Sequence, residues 1–169
     1  MGITLDQLLA ARDRRRERQL HMLAEYPGLA LIVLTVNIPG AEKRTEASVG
    51  IGDAGVSALH EKLGADVRVE ERYDLDTGFE AFICASVSLR EAKRIALSIE
   101  ESHPLGRIMD IDVIGEEGVP VSRGALGYPG RRCFLCGQPA RICMRTAAHS
   151  PRELSAYIER QWHDYVRRS

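Results

Sequence analysis

Two aspartates stand two residues apart in a segment that otherwise has the pattern of a buried strand. The segment "SHPLGRIMDIDV" (102–113) places Asp110 and Asp112 between apolar residues. Side chains two apart on a strand share a face, so the two carboxylates are predicted to lie side by side. Neighbouring carboxylates raise each other's pKa unless a cation lies between them, and Mg²⁺ suits chemistry on phosphates. The pair therefore predicts magnesium-assisted chemistry on a phosphate, with a solvated strand face as the alternative.

The residues just before this pair are further candidates. Arg107 lies three residues before Asp110, and Gly106 offers a place where the backbone can approach a phosphate. His103 is either the end of a helix or a residue of the site. A second acid pair, "DLD" at 74–76, precedes Thr-Gly and suits a turn without further purpose.

Three cysteines and a histidine near the C-terminus have the spacing of a metal site. They are Cys133, Cys136, Cys143 and His149, separated by two, six and five residues. Three thiolates and one imidazole form a tetrahedral set that suits zinc and leaves no open coordination position, so the predicted role is structural. Free thiols in a loop are the alternative. The remaining cysteine, Cys84, lies in an apolar strand and is predicted to be a core residue.

The order of the elements predicts an α+β protein with a ferredoxin-like (split βαβ) sheet. Capping boxes begin three helices, at Thr4 with Gln7, Ser88 with Glu91, and Ser150 with Glu153. The predicted elements are a helix at 5–26, a strand at 28–38, a helix at 52–64, a hairpin at 66–87, a helix from 89, a strand at 107–114, a short strand at 119–122 and a helix from 151.

Two parts of the chain are predicted. Residues 1–122 are predicted to form the catalytic α+β domain. Within it, the N-terminal helix comes before the strands of the sheet. The segment "RGALGYPGRR" (123–132) is rich in glycine and arginine and is typical of a connector. Residues 123–169 are therefore expected to form a zinc-binding connector and a C-terminal helix packed on the first part.

Composition excludes several classes of function. The 169 residues carry 23 basic and 24 acidic side chains, so no global charge attracts nucleic acid or a membrane surface. The longest apolar run, 29–36, is far shorter than a membrane span, and the N-terminal segment lacks the features of a secretion signal. A cytoplasmic location with no nucleic-acid or membrane partner is expected.

The combined motifs resemble one enzyme family over nearly the whole chain. "HPLGR-x-x-D-x-D-V" followed by "RRC-x2-C-x6-C-x5-H" is similar to the apo-citrate lyase phosphoribosyl-dephospho-CoA transferase family, also called holo-citrate lyase synthase. "LLAARDRRRERQ" and "LIVLTVNIPG" are weaker parts of the likeness, and residues 41–80 match loosely.

The resemblance implies a nucleotidyltransferase-type reaction. The donor would be 2′-(5″-triphosphoribosyl)-3′-dephospho-CoA, and the acceptor a serine of the acyl carrier protein (gamma) subunit of apo citrate lyase, with release of diphosphate. Asp110 and Asp112 would hold Mg²⁺ on the donor triphosphate, and Arg107 would pair with phosphate oxygens. His103, or one of the aspartates, would accept the serine proton.

The resemblance also draws attention to the first helix. Arg12, Asp13 and Arg16 are candidates for contact with the donor or the carrier protein, although solvated helix charges are the commoner outcome. Two other functions stay open. One is a zinc-stabilised module that binds nucleic acid or protein through its basic helix, and the other is a related transferase that acts on another carrier protein. An aromatic content of 5% gives few stacking platforms for single strands and disfavours nucleic acid.

Overall fold

A computed structural model describes residues 2–168 and contains helices on both sides of one sheet. The elements are α1 (Leu5–Glu25), β1 (Ala30–Val36), α2 (Glu46–Leu63), β2 (Val67–Leu75), β3 (Gly78–Ala85), α3 (Leu89–Ser102), β4 (Met109–Ile114), α4 (Ala140–Thr146) and α5 (Pro151–Val166). Short 3₁₀ turns lie at Gly64–Asp66 and Arg123–Leu126. The expected α+β class is confirmed.

The sheet has four strands in the order β2-β3-β1-β4, and every neighbouring pair is antiparallel. The hairpin predicted at 66–87 is the β2–β3 pair. In the register, Val33 of β1 lies between Phe82 of β3 and Asp112 of β4. Two residues further along β1, Thr35 lies between Glu80 and Asp110, so both predicted site acids belong to one face.

The two faces of the sheet are covered by different helices. On one face, inward residues such as Leu34 and Ile111 pack with apolar residues of α2, α3 and α5 in the main core. On the other face, Leu31 and Phe82 pack with Met22 of α1 in a smaller cluster. Because Asp110 and Asp112 alternate with the core residues of β4, they lie on the α1 face.

Three helices begin at the capping residues that the sequence predicts, and a fourth, α2, begins earlier than predicted. Reciprocal capping boxes are present at Thr4 and Ser150, and the side chain of Ser88 accepts a hydrogen bond from the backbone N–H of Glu91. The second helix begins at Glu46 rather than at the predicted residue 52, because Thr45 and a following serine form a further capping box. Its glycine at 50 leaves room for the ring of Trp162, which brings α5 close to α2.

The outer edge of β4 is covered by other parts of the chain. The carboxylate of Glu100 on α3 accepts a hydrogen bond of 2.9 Å from the backbone N–H of Ile111, and Arg123 donates to the same carboxylate at 2.6 Å. Further along the edge, the N–H of Val121 donates to the carbonyl of Val113 at 2.8 Å. The strand predicted at 119–122 is reduced to this contact and one bridge at Pro120.

Among residues 2–168, no helix has the length and apolar character needed to cross a membrane.

Candidate functional site

Asp110 is paired with an arginine from the segment that the sequence indicated as a connector. Arg131 Nη1 donates to Asp110 Oδ1 at 3.0 Å, and Arg131 Nη2 donates to the carbonyl of Met109 at 2.5 Å. The side chains of Asp110 and Arg131 are 43% and 30% exposed, so solvent screens the pair and ligands can reach it. Sequence reasoning missed Arg131, although it belongs to the "RRC" string of the motif.

Asp112 is the more buried acid of the pair. Burial raises the pKa of its carboxyl group first, and the charge of Asp110 raises it further. The positive charges of Lys93, Arg131 and Arg15 act in the opposite direction without reversing the shift. Among the described residues, none makes a hydrogen bond with the Asp112 side chain. A cation beside this carboxylate would therefore relieve both its desolvation and its repulsion by Asp110.

The first helix brings arginines over the same face of the sheet. Arg15 donates from Nε and Nη2 to Glu80, at 2.9 and 2.7 Å, and Glu80 is 5% exposed. Arg16 Nη1 donates to the carbonyl of Gly118 at 2.5 Å. The two other predicted contact residues, Arg12 and Asp13, are exposed, and no described side chain forms a hydrogen bond or ion pair with either.

Arg107 and Gly106 lie in the turn that leads into β4. Arg107 Nη2 donates to the carbonyl of Arg132 at 2.6 Å, so this arginine faces the Cys/His segment. A side-chain carbon at Gly106 would overlap the carbonyl oxygen of Ile99 and lie 2.8 Å from that of Glu100. Gly106 thus allows the turn to pack against the end of α3. The close backbone approach at this glycine is to α3.

His103 lies away from the acid pair, on the side of the sheet that α2 and α5 cover. Its Nδ1 accepts a hydrogen bond of 3.1 Å from the backbone N–H of Leu105, and its ring centroid lies 5.5 Å from that of Tyr165. Burial lowers the pKa of His103, while the charge of Glu61 raises it in part. The structure does not bring His103 together with Asp110 and Asp112.

The predicted metal ligands come together in space. The ligand atoms of Cys133, Cys136, Cys143 and His149 all lie within 4.8 Å of one another, with Cys136 Sγ 3.4 Å from Cys143 Sγ and 3.3 Å from His149 Nε2. Around a tetrahedral zinc ion with Zn–S bonds of about 2.3 Å, sulfur atoms lie roughly 3.8 Å apart. The four residues therefore fit a metal such as zinc. Gly137, directly after the first cysteine pair, has a φ of 71°, in the left-handed region that glycine adopts without strain.

Hydrogen bonding already prepares one thiol for metal binding. A backbone hydrogen bond from Gln138, assisted by His149 and Cys143, lowers the pKa of Cys136 to about 7. The hydrogen bond with Cys136, and secondly burial, raise the pKa of Cys143 to about 11. A bound metal would favour the thiolate of both, since the thiolate is the form that ligates.

One cleft joins the metal cluster to Asp110 of the acid pair. It has a volume of about 620 Å³ and lies where β1 ends and β4 begins. Its polar lining includes Arg107, Asp110, Arg131, Arg132 and His149. Its apolar lining comprises Pro39, Phe134, Ala140, Met144, Ala147, Pro151 and Leu154. The three arginines also line a smaller pocket of about 100 Å³ beside Glu100 and Glu101.

Comparison with known proteins finds one enzyme family that matches almost the whole chain. The family model described as apo-citrate lyase phosphoribosyl-dephospho-CoA transferase matches residues 3–165. A protein of Vibrio cholerae serotype O1 (strain M66-2) is 38% identical over 98% of this chain and 94% of its own length. One of Streptococcus pyogenes serotype M18 is 34% identical over 97% of this chain and 88% of its own length. Both are named "Probable apo-citrate lyase phosphoribosyl-dephospho-CoA transferase". The chain belongs to the apo-citrate lyase phosphoribosyl-dephospho-CoA transferase family.

Proposed function

We propose that this protein transfers the phosphoribosyl-dephospho-CoA group of the donor 2′-(5″-triphosphoribosyl)-3′-dephospho-CoA to a serine of the acyl carrier protein subunit of apo citrate lyase. The family match over residues 3–165 carries the proposal. Three arginines and Asp110 in one cleft, with Asp112 on the same strand face, support it, because a donor with several phosphates needs both positive charge and a site for a divalent cation. We infer a cytoplasmic location from the sequence alone.

The proposed reaction is a nucleotidyl-type transfer at the phosphorus next to the ribose 5″ oxygen. The serine Oγ forms a bond to this phosphorus, and the bond from phosphorus to the oxygen that leads to the next phosphate breaks. Diphosphate leaves with that oxygen and its electron pair, the serine proton passes to a base, and a phosphodiester remains. Arg107, Arg131 and Arg132 line the cleft where they would pair with phosphate oxygens, and the planar guanidinium suits such oxygens.

Asp110 and Asp112 would hold the magnesium ion. They offer two carboxylates on one face of β4, and Mg²⁺ commonly combines one or two carboxylates with water and substrate phosphates. Burial and the charge of Asp110 raise the pKa of Asp112 despite the charges of Lys93, Arg131 and Arg15, so a further cation would stabilise this carboxylate. Bound magnesium would supply neutralisation of the charge that develops on the departing diphosphate.

The base is more consistent with an aspartate than with His103. The His103 ring accepts a hydrogen bond from the turn before β4 and contacts Tyr165 on the opposite side of the sheet. A structural role at the end of α3 accounts for these contacts. Asp110 and Asp112 remain the candidates for accepting the serine proton, which is the other assignment that the sequence allows.

The finer description of the fold is also a proposal. A ferredoxin-like (split βαβ) arrangement is supported by the antiparallel order β2-β3-β1-β4 with α2 and α3 on one face. Residues 1–122 would be the catalytic part. Residues 123–169 would be a zinc-stabilised part, in which Cys133, Cys136, Cys143 and His149 hold a structural ion.

The first helix would serve binding rather than chemistry. Arg12 and Asp13 are exposed and available to the donor or the carrier protein. Arg16 is already engaged with the loop after β4, so its contribution would be to hold α1 over the site. Acceptor KM values for Arg12→Ala and Arg16→Ala at several salt concentrations test this role. Values equal to those of the wild type would show that these side chains are solvated charges with no part in binding.

Transfer of a radiolabelled donor to apo carrier protein, with and without magnesium, tests the proposed function. We expect magnesium-dependent labelling by the wild type and a loss of about 100-fold or more in Asp110→Asn and Asp112→Asn. Asp76→Asn is the matched control, because Asp76 is an exposed acid in the β2–β3 turn. A protein that binds nucleic acid or protein only would label nothing, and a transferase for another carrier would label that carrier instead. Normal turnover by folded Asp110→Asn and Asp112→Asn would overturn the magnesium site.

A further inference from the structure

The large cleft differs in character between its two ends. At one end, near the start of β4, Arg131 is paired with Asp110, and Arg107 donates to the carbonyl of Arg132. Towards the other end, the wall consists mainly of apolar side chains such as Phe134, whose ring stacks on Tyr157 with centroids 4.9 Å apart. A cleft of this size is within the usual range for small-molecule sites, and this lining suits a ligand with one anionic and one largely apolar part.

Two of the arginines carry positive charge that no carboxylate offsets. Within residues 2–168, Asp110 forms an ion pair with Arg131, whereas neither Arg107 nor Arg132 has a carboxylate within ion-pair distance. Arg107 donates to the carbonyl of Arg132, and Arg132 donates to the carbonyl of Gly137 at 3.0 Å. Each guanidinium has five N–H donors, so most remain for an anionic ligand.

The apolar wall is exposed where a soluble protein would normally place polar residues. Met144 on α4 is 79% exposed, yet it lines the cleft together with Leu154 of α5. A peptide segment of the carrier protein in this place would need partners for an N–H and a C=O at nearly every residue, and the apolar wall offers few. A pantetheine chain carries only two amide groups along its whole length, and its methylene and methyl groups suit an apolar wall while the phosphates at its end suit the arginines.

We propose that this cleft binds the dephospho-CoA part of the donor, with its phosphates at the arginine end and its pantetheine chain along the wall formed by Phe134, Met144 and Leu154. The inference rests on the proposed function, which supplies the donor as the ligand. The second ribose of the donor, which carries the reactive triphosphate, would then extend from this end of the cleft towards Asp110.

This assignment gives the Cys/His cluster a second consequence. Cys133, Cys143 and His149 themselves line the cleft, and Met144 directly follows a cluster residue. Arg132, the residue before Cys133, is held by the turn of the cluster through Gly137. The cluster therefore shapes the wall and orients an arginine, so its metal would support donor binding without touching the reacting atoms.

Calorimetric titration of the full-length protein with dephospho-CoA and with ADP, which lacks the pantetheine chain, tests the assignment. We expect the wild type to bind dephospho-CoA more tightly than ADP. Met144→Glu should weaken dephospho-CoA binding by about tenfold or more and remove the difference between the two probes, because it places a carboxylate on the wall. Ile142→Glu is the matched control, since Ile142 is a 40% exposed apolar residue of the same helix outside the cleft lining.

The outcomes separate this inference from the proposed function. Equal affinity of the wild type for the two probes, or unchanged dephospho-CoA binding by Met144→Glu, would overturn the cleft assignment. If the wild type nevertheless transfers labelled donor to the carrier protein, the proposed function stands without it. If Met144→Glu loses dephospho-CoA binding while the wild type labels no carrier, the cleft assignment stands and the proposed function fails.

Discussion

Replacing Asp112 with asparagine is expected to stabilise the protein while it abolishes transfer. Asparagine keeps the size of the side chain and removes the negative charge. In the folded protein that charge is costly, because Asp112 is desolvated and stands on the same face as Asp110. If Asp112 holds magnesium as proposed, this cost is retained for activity, so stability and activity should change in opposite directions.

The size of the effect follows from the strand geometry. Residues two apart on a strand are separated by about 6.6 Å, which gives a repulsion of roughly 2.5 kcal/mol at an effective dielectric constant of about 20. Attraction by Lys93, Arg131 and Arg15 offsets part of this repulsion. We therefore expect a net gain of about 1 kcal/mol in the free energy of unfolding, or a Tm higher by about 2–4 °C.

The gain should depend on pH in a defined direction. The folded pKa of Asp112 is raised above the ordinary value of 3.8, so the folded wild type keeps a proton that the unfolded chain has lost. Wild-type stability therefore falls as the pH rises through the folded pKa, and asparagine does not titrate. The advantage of Asp112→Asn should be fully developed at neutral pH and should shrink towards acidic pH.

Thermal melts followed by circular dichroism from about pH 5 to pH 8, with parallel transfer assays, test this prediction. Magnesium with a triphosphate analogue should raise the Tm of the wild type and leave the variant unchanged, because ligands stabilise only the state that binds them. Asp76→Asn should change neither property. A variant that melts below the wild type at neutral pH without magnesium would refute the electrostatic reasoning.

Four further changes test the structural assignments. Gly106→Ala should cost about 1–3 kcal/mol in urea unfolding, because its methyl group meets backbone carbonyls at the end of α3; an unchanged midpoint would contradict this packing. Arg123→Ala should cost roughly 3 kcal/mol in the same measurement, because it leaves Glu100, whose side chain is 4% exposed, without its ion-pair partner. His103→Gln should lower the Tm but keep the turnover number and its pH profile, and a large fall in turnover with loss of the acidic limb of that profile would restore His103 as the base. Cys136→Ser should lower the zinc content measured by atomic emission and weaken dephospho-CoA binding, whereas full zinc retention would argue against the site.

The local features of the site follow directly from spacing. The period of two residues in a strand places Asp110 and Asp112 on one face, and the burial pattern of β4 agrees. The short loop between Cys133 and Cys136, with glycine after the pair, brings two thiols together in any fold that permits the turn. These features need no knowledge of how distant segments pack.

The partners of the acids could not be obtained in this way. Arg131 meets Asp110 across 21 residues of chain, and the intervening segment has only glycine and arginine enrichment to indicate its path. The packing of α1 over the face that carries Asp110 and Asp112 likewise depends on tertiary contacts, which the sequence pattern does not indicate. The early start of α2 was missed for a related reason, because glycines at 50, 52 and 55 are typical of a loop, yet here they admit neighbouring side chains.

The covered edge of β4 restricts how a carrier protein can be recognised. A free strand edge could accept an extended segment of a partner, and main-chain hydrogen bonds would then supply affinity for almost any sequence. Here Glu100 occupies the N–H of Ile111, and Val121 occupies the carbonyl of Val113. Strand addition at this edge is therefore blocked, and under the proposed function a carrier protein that docks beside β4 would be recognised by its side chains and shape, a mode that disfavours modification of unfolded chains.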